Sequence, residues 1–149
     1  MKTNSKGYVI TADVSSIRDI ICDEVWQITR SSKHISGTVW VPELAPSSQL
    51  FEKYLKEWKD NPVEEWWYLY KDAFNKELKS AKKLGALKKL GRLVESGRII
   101  ALICFCRDSD HCHRALVGEL LKQCGVEVEE YVKKKKTETH TYVEQLTLF

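Results

Sequence analysis

Residues 98–106, "RIIALICFC", form a nearly continuous apolar run that stops in a charged segment. This run limits the fold more than any other feature of the chain. A strand with one wet face alternates apolar and polar residues, whereas a strand covered on both faces is apolar throughout. The run is followed by "SDHCHRALVGELLKQCG", residues 109–125, which offers Ser109 and Asp110 as helix caps. In the same segment Leu116, Val117, Leu120 and Leu121 form an apolar face, and Gly125 serves as a stop. "VEVEEYV", residues 126–132, then alternates as a half-covered strand. Strand, helix and strand in about 35 residues make a βαβ unit, whose two strands lie parallel. The expected fold is therefore α/β, with a mostly parallel sheet and helices packed on it.

The segments upstream supply the other layers. "YVITADV", "DIICDEVWQIT" and "GTVWV" read as strands or buried elements, the last stopped by Pro42. "APSSQLFEKYLKEWK" reads as a helix capped by Ser47 or Ser48, with Leu50, Phe51, Tyr54, Leu55 and Trp58 on one face. Asn61 and Pro62 are expected to cap and start a second helix, with Trp66, Leu69, Tyr70, Phe74 and Leu78 turned inward. "KKLGALKKLGRLVES" reads as a third, closed by Gly97, with Leu84, Leu87, Leu90 and Val94 in a row. At 149 residues, 43% hydrophobic and 30% charged, the chain fits one globular domain with a core of its own. Residues 1–131 are read as that domain, and 132–149 as a basic linker with a flexible C-terminal tail. With no apolar run long enough for a bilayer and no leader-like N-terminus, a cytoplasmic location is expected and no membrane partner. Five cysteines, three of them crowded together, read as reduced thiols and not as a disulfide framework.

The crowding is in "CFCRDSDHCHR", residues 104–114, where the apolar strand should give way to a helix. Ligands of open parallel sheets bind outside the carboxyl ends of the strands. Helix N-termini add free N–H groups, favour anions and lower the pKa of nearby thiols. Cys112, His113 and Arg114 are the candidate catalytic residues: the thiol or the imidazole as nucleophile or general acid/base, the guanidinium holding an anion. Arg114, Cys106, Asp108, Asp110 and His111 are the candidate ligand-binding residues, the two aspartates placed to orient a histidine. Arg114 and Cys112 are expected to face a cavity able to hold something negatively charged. The spacing matches none of the paired patterns typical of zinc sites, so no metal ligands are assigned. The plainer alternative is that Cys104 and Cys106 are small buried hydrophobes and that His113 and Arg114 tie the helix to neighbouring loops.

"ELAPSSQL" at residues 43–50, Tyr70, Phe74, Glu77 and Leu78, and "ALICFCRDSDHCHRALVGELL" at 101–121 together resemble the domain of unknown function 488 (DUF488) family. Its members show an apolar strand, a Cys or Glu near the strand end, and "CHR" opening a helix; here Cys106 stands where some relatives have Glu. The resemblance covers most of residues 8–131. It implies a compact α/β domain with a site around Cys112, His113 and Arg114, and it implies no particular reaction.

"QLTLF", residues 145–149, resembles the peptide by which many bacterial DNA-repair and replication proteins dock on the sliding clamp. Leu146, Leu148 and Phe149 would fill an apolar pocket while Gln145 hydrogen-bonds at its edge. The alternative is an apolar plug folded onto the domain. "KKKK" at 133–136 would serve as a spacer able to meet DNA phosphates, although a net charge of +3 does not by itself demand a nucleic-acid partner. The leading expectation is a protein of DNA metabolism with an anion or nucleotide site at "CHR", its cofactor, if any, unassigned. One alternative is a non-enzymatic adaptor using Trp40, Trp58, Trp66 and Trp67 as anchors; the other is a metal-binding or redox domain built on the Cys/His cluster.

Overall fold

A computed structural model describes residues 6–30, 35–106 and 108–132. Five strands form one sheet: β1 (Val9–Asp13), β2 (Glu24–Gln27), β3 (Val39–Trp40), β4 (Ile100–Cys104) and β5 (Val128–Glu130). Their order is β3-β2-β4-β1-β5, and each of the four pairings is parallel. The apolar run supplies β4, which lies between β1 and β2 and is buried at every position. Its register sets Ile100 opposite Val9 on one side and Glu24 on the other, so the carboxyl ends of the three strands finish together.

The helices are α1 (Ser48–Lys53), α2 (Val63–Glu77), α3 (Ala81–Glu95) and α4 (His113–Gln123). Leu102 and Cys104 of β4, Val9 and Trp26 join one core cluster with Tyr70 and Phe74 of α2, Leu90 and Val94 of α3, and Leu116 and Val117 of α4. Gly118 brings α4 close to the sheet, since a Cβ there would stand 3.2 Å from a Val128 methyl. Gly97 and Gly125 end α3 and α4 at φ +101° and +90°, a backbone state glycine reaches without steric penalty.

Four local expectations are revised. Ser47 caps α1 as anticipated, but Pro62, not Asn61, holds the cap position of α2. Asn61 instead closes the helix before it, its Nδ2 donating to the Glu57 carbonyl at 2.7 Å. Leu69 and Leu84 fall at the edges of their stripes, 44% and 37% exposed. Ser109 and Asp110 belong to a short 3-10 turn, Ser109–His111, and Cys112 holds the cap position of α4. Between α1 and α2 the helix widens at Tyr54–Trp58, where the Lys59 N–H reaches back to the Tyr54 carbonyl at 2.8 Å. Such widened turns often accompany binding sites, and this one sets Tyr54 toward the carboxyl ends of the strands. Among the described residues no helix is long and apolar enough to cross a membrane. Residues 133–149, and with them "KKKK" and "QLTLF", lie outside the described residues.

Candidate functional site

A cavity of about 320 Å³ opens at the carboxyl ends of β2 and β4. Its floor is sulfur and imidazole, from Cys104, Cys106, Cys112 and His113. Its walls are aromatic, from Phe51, Tyr54, Trp66, Tyr70 and Phe105, with Arg30 and His111 at its edge. Tyr54 meets Trp66 edge to face at 5.4 Å between ring centroids, and Trp58 stacks behind Trp66 at 5.9 Å. The stripe read as core on α2 is thus core on one side and cavity wall on the other.

The chain brings the thiols together through the turn after β4. Cys104 ends the strand, Cys112 precedes α4, and their Sγ atoms stand 3.0 Å apart in the interior. Arg114 lies one residue into α4 and points back beneath them. Its Nη1 donates to Cys104 Sγ at 3.1 Å, to Cys112 Sγ at 3.7 Å and to the Cys106 carbonyl. Its other edge grips Glu130 at the end of β5: Nε to Oε1 at 3.1 Å, Nη2 to Oε2 at 2.9 Å. Thr11 Oγ1 donates to the same Glu130 Oε1 at 2.6 Å. Arg114 is 1% exposed and absent from the lining of the main cavity. It edges a smaller, polar hollow of about 210 Å³, where the anion it meets is Glu130.

The hydrogen bonding among the thiols, with a buried guanidinium beside them, shifts their charge. The hydrogen bond with Cys112 holds the Cys104 thiol well below the ordinary range; burial opposes this, and the charges of His113 and Arg114 add to it. The hydrogen bonds to Cys104 and Cys106, with burial, push Cys112 the other way. The pair therefore releases its first proton more readily than its second, and the Arg114 Nη1, nearer to Cys104 Sγ at 3.1 Å than to Cys112 Sγ at 3.7 Å, favours charge on the Cys104 side. Cys106, half-buried, is pulled down to about 7, chiefly by its hydrogen bond with Cys112. Burial and the neighbouring thiols raise Tyr70, so that its phenol stays protonated beside them.

His113 Nε2 lies 2.7 Å from the Ile28 carbonyl, which only accepts, so this nitrogen carries the hydrogen. Nδ1 is left facing Cys112 Sγ at 3.8 Å. His111 Nδ1 pairs with Asp108 Oδ2 at 2.9 Å, and its ring meets Trp67 edge to face at 5.1 Å. Asp108 also caps the turn by accepting from the Asp110 N–H at 3.1 Å. Of the candidates named from the sequence, Cys106, His111, Cys112 and His113 meet at the cavity; Asp108 supports His111; Asp110 and Arg114 border the smaller hollow.

Cys104, Cys112 and His113 offer three donor atoms within 4.8 Å of one another, a set able to hold a soft metal ion. The Arg114 cation already bonded to Cys104 Sγ favours a bare thiolate over a second positive charge.

The site includes the stretch on which the family resemblance rests, and comparison with known families agrees. The chain belongs to the active DUF488-N3 subclade. The model of that family, DUF488-N3a, matches residues 14–125. The matched span contains the whole sulfur floor and the aromatic walls, and ends before Glu130. No curated protein and no solved structure was found to match the chain.

Three residues of this candidate site escaped sequence reasoning. Cys104 was weighed as a buried hydrophobe, because an inward cysteine on an apolar strand looks like filler. Glu130 was not singled out within the half-covered strand at 126–132, although a carboxylate at the carboxyl end of a strand beside "CHR" was a usable signal. Tyr70 was assigned to the core stripe.

Proposed function

We propose that the chain is a thiol-dependent enzyme of nucleic-acid metabolism, whose aromatic cavity takes a nucleobase and whose Cys104–Cys112 pair attacks it. The observation that carries this reading is the pair of sulfur atoms 3.0 Å apart on the floor of an aromatic cavity of about 320 Å³. Flat rings of Trp66 and Tyr70 suit a planar heterocycle, with stacking worth about 1–3 kcal/mol per base. Arg30, at the rim and over the Phe51 ring, is placed for a phosphate outside the cavity. In the step proposed, the Cys104 thiolate forms a carbon–sulfur bond at an electrophilic ring carbon. The displaced electron pair moves to a ring heteroatom, which takes the proton of Cys112, and His113 Nδ1 steadies the new charge distribution. Arg114 acts through the thiols as a positioning residue and does not hold the substrate anion.

Recruitment to DNA belongs to the same proposal. It rests on the "QLTLF" sequence alone, with Gln145, Leu146, Leu148 and Phe149 as the docking residues and the sliding clamp as partner.

The test is iodoacetamide labelling of the reduced protein, followed site by site by mass spectrometry, in the presence of each of the common deoxynucleoside monophosphates. At least one base should slow labelling of Cys104 and quench tryptophan fluorescence over the same concentration range. Absence of both effects for every nucleotide up to about millimolar, the weak end of specific affinity, sinks the nucleotide reading. Quenching with no reactive thiol at the floor would instead favour the non-enzymatic adaptor.

A further inference from the structure

The sulfur floor has a chemistry of its own that does not require a nucleotide. Cys104 and Cys112 are both free thiols, both buried from bulk solvent and both open to the cavity. Their 3.0 Å separation lies roughly 1 Å beyond a disulfide bond. The chain between them, residues 105–111, contains only the short Ser109–His111 turn among its described regular elements, so closing the gap falls on a loop and not on β4 or α4. Cys106 Sγ also reaches the Asp108 carbonyl at 3.7 Å, and the contact at 3.0 Å is that of Cys104 with Cys112. The Arg114 guanidinium sits against both members of the pair, at 3.1 and 3.7 Å. A cation there stabilises a thiolate and also the oxyanion that leaves when a thiolate attacks a peroxide.

We infer that Cys104 and Cys112 form a peroxide-oxidisable dithiol that closes reversibly to a disulfide across the floor of the cavity. The substrate class is a small hydroperoxide. The Cys104 sulfur attacks the distal peroxide oxygen; a sulfur–oxygen bond forms, the oxygen–oxygen bond breaks, and the leaving alkoxide or hydroxide takes up from solvent the proton that the Cys104 thiol had released. Cys104 is now a sulfenic acid. The Cys112 sulfur attacks it, the sulfur–sulfur bond forms, and the hydroxyl leaves as water with the proton of Cys112. One peroxide has been reduced by two electrons and two thiols oxidised by two, and a cellular dithiol restores the pair by exchange. Its consequence for catalysis, the reversible loss of the nucleophile, rests on the proposed function; the oxidation itself does not.

Reduced, metal-free, full-length protein is treated with hydrogen peroxide in equimolar amount. The expected result is a loss of two hydrogens in the intact mass, a mapped Cys104–Cys112 cross-link, loss of iodoacetamide labelling at both residues, and full recovery with dithiothreitol. In Cys112→Ser, Cys104 should halt at the sulfenic acid and be trapped by dimedone. Should that variant fail to fold, the cross-link map of the unaltered protein decides alone. A cross-link joining any other pair overturns the inference, as does oxidation of Cys104 to a sulfinic acid with no disulfide, or an unchanged mass. Nucleotide protection of the reduced protein is measured separately. Cross-linking without such protection leaves this inference standing and the nucleotide reading lost; protection without cross-linking does the reverse.

Discussion

Arg114 holds the thiols and the last strand in one hydrogen-bonded unit. Its guanidinium is buried, and its partners are a carboxylate, a carbonyl and two sulfurs. Removing it takes the guanidinium from Glu130, which keeps its bond from Thr11, and takes the cation from the thiols. Breaking a buried pair from one side costs about 3–5 kcal/mol, at the lower end here because Glu130 keeps some solvent contact. Arg114→Ala should therefore lower the urea midpoint substantially. Arg114→Lys, keeping the charge without the fork, should fall between it and the parent. The thiol chemistry supplies the sign of a second effect. With the cation gone, the Cys104 pKa rises, so the rate of iodoacetamide labelling at about pH 6, below the ordinary thiol range, should drop in the Ala variant more than in the Lys variant. Equal stability and an unchanged pH profile in Arg114→Ala would show that the guanidinium neither holds the fold nor charges the sulfur.

At the scale of elements, the cavity wall is fastened by a contact that joins two separated parts of the family resemblance. Glu77, at the end of α2, accepts from the Ser47 backbone N–H at 2.9 Å and from the Ser47 hydroxyl, while Ser47 caps α1 by accepting from the Leu50 N–H at 3.1 Å. Lys83 on α3 adds donors to the Glu43 and Ala45 carbonyls at 2.7 and 2.6 Å. The carboxylate, the cap and the lysine thus hold the turn that carries Pro46 and begins α1, both bordering the cavity. A hydrogen bond to a charged group contributes about 1.5–3 kcal/mol. Glu77→Ala, which removes both, should destabilise by at least the worth of one such bond, about 1.5–3 kcal/mol, in chemical denaturation. It should widen the wall while leaving the pH profile of thiol labelling in place, because Glu77 does not touch the sulfurs. Loss of labelling with no loss of stability would contradict this division of roles. The elements themselves were legible in the sequence, because helix caps, terminal glycines and the unbroken apolar strand are local signals. The partnership of Glu77 with Ser47 was not, since nothing in either segment shows that the other folds against it. The same holds for Arg114 and Glu130: the periodicity placed each on its element, and only the strand order, β5 beside β1, brings the carboxylate under α4.

For the whole molecule, the expected division near residue 132 is tested by how much of the stability the described core supplies. Among the described residues β5 is the strand furthest along the chain, pairing with β1 over Val9–Val128 to Thr11–Glu130, and the Tyr131 N–H bonds to the Thr11 carbonyl at 2.8 Å. Among the described residues the core cluster draws its members from 9 to 128, and the carboxylate paired with Arg114 is Glu130. A protein ending at Val132 should therefore melt within about a degree or two of the full chain, a shift well under 1 kcal/mol at this size. It should also retain the low-pH reactivity of its thiols. If "QLTLF" docks on the sliding clamp, the shortened protein loses capture by immobilised clamp entirely, and a Leu146→Ala, Phe149→Ala double variant of the full chain loses it while keeping its melting temperature. Capture by the shortened protein would assign docking to the folded domain and remove the tail from the proposal. A large fall in melting temperature on truncation would mean instead that the Leu and Phe side chains are part of the core, because burying such residues is worth about 1.5–3 kcal/mol each. The two results are opposite in sign for the two fates of the same apolar residues, so a melting curve and a clamp capture on one pair of proteins decide between a tether and a plug.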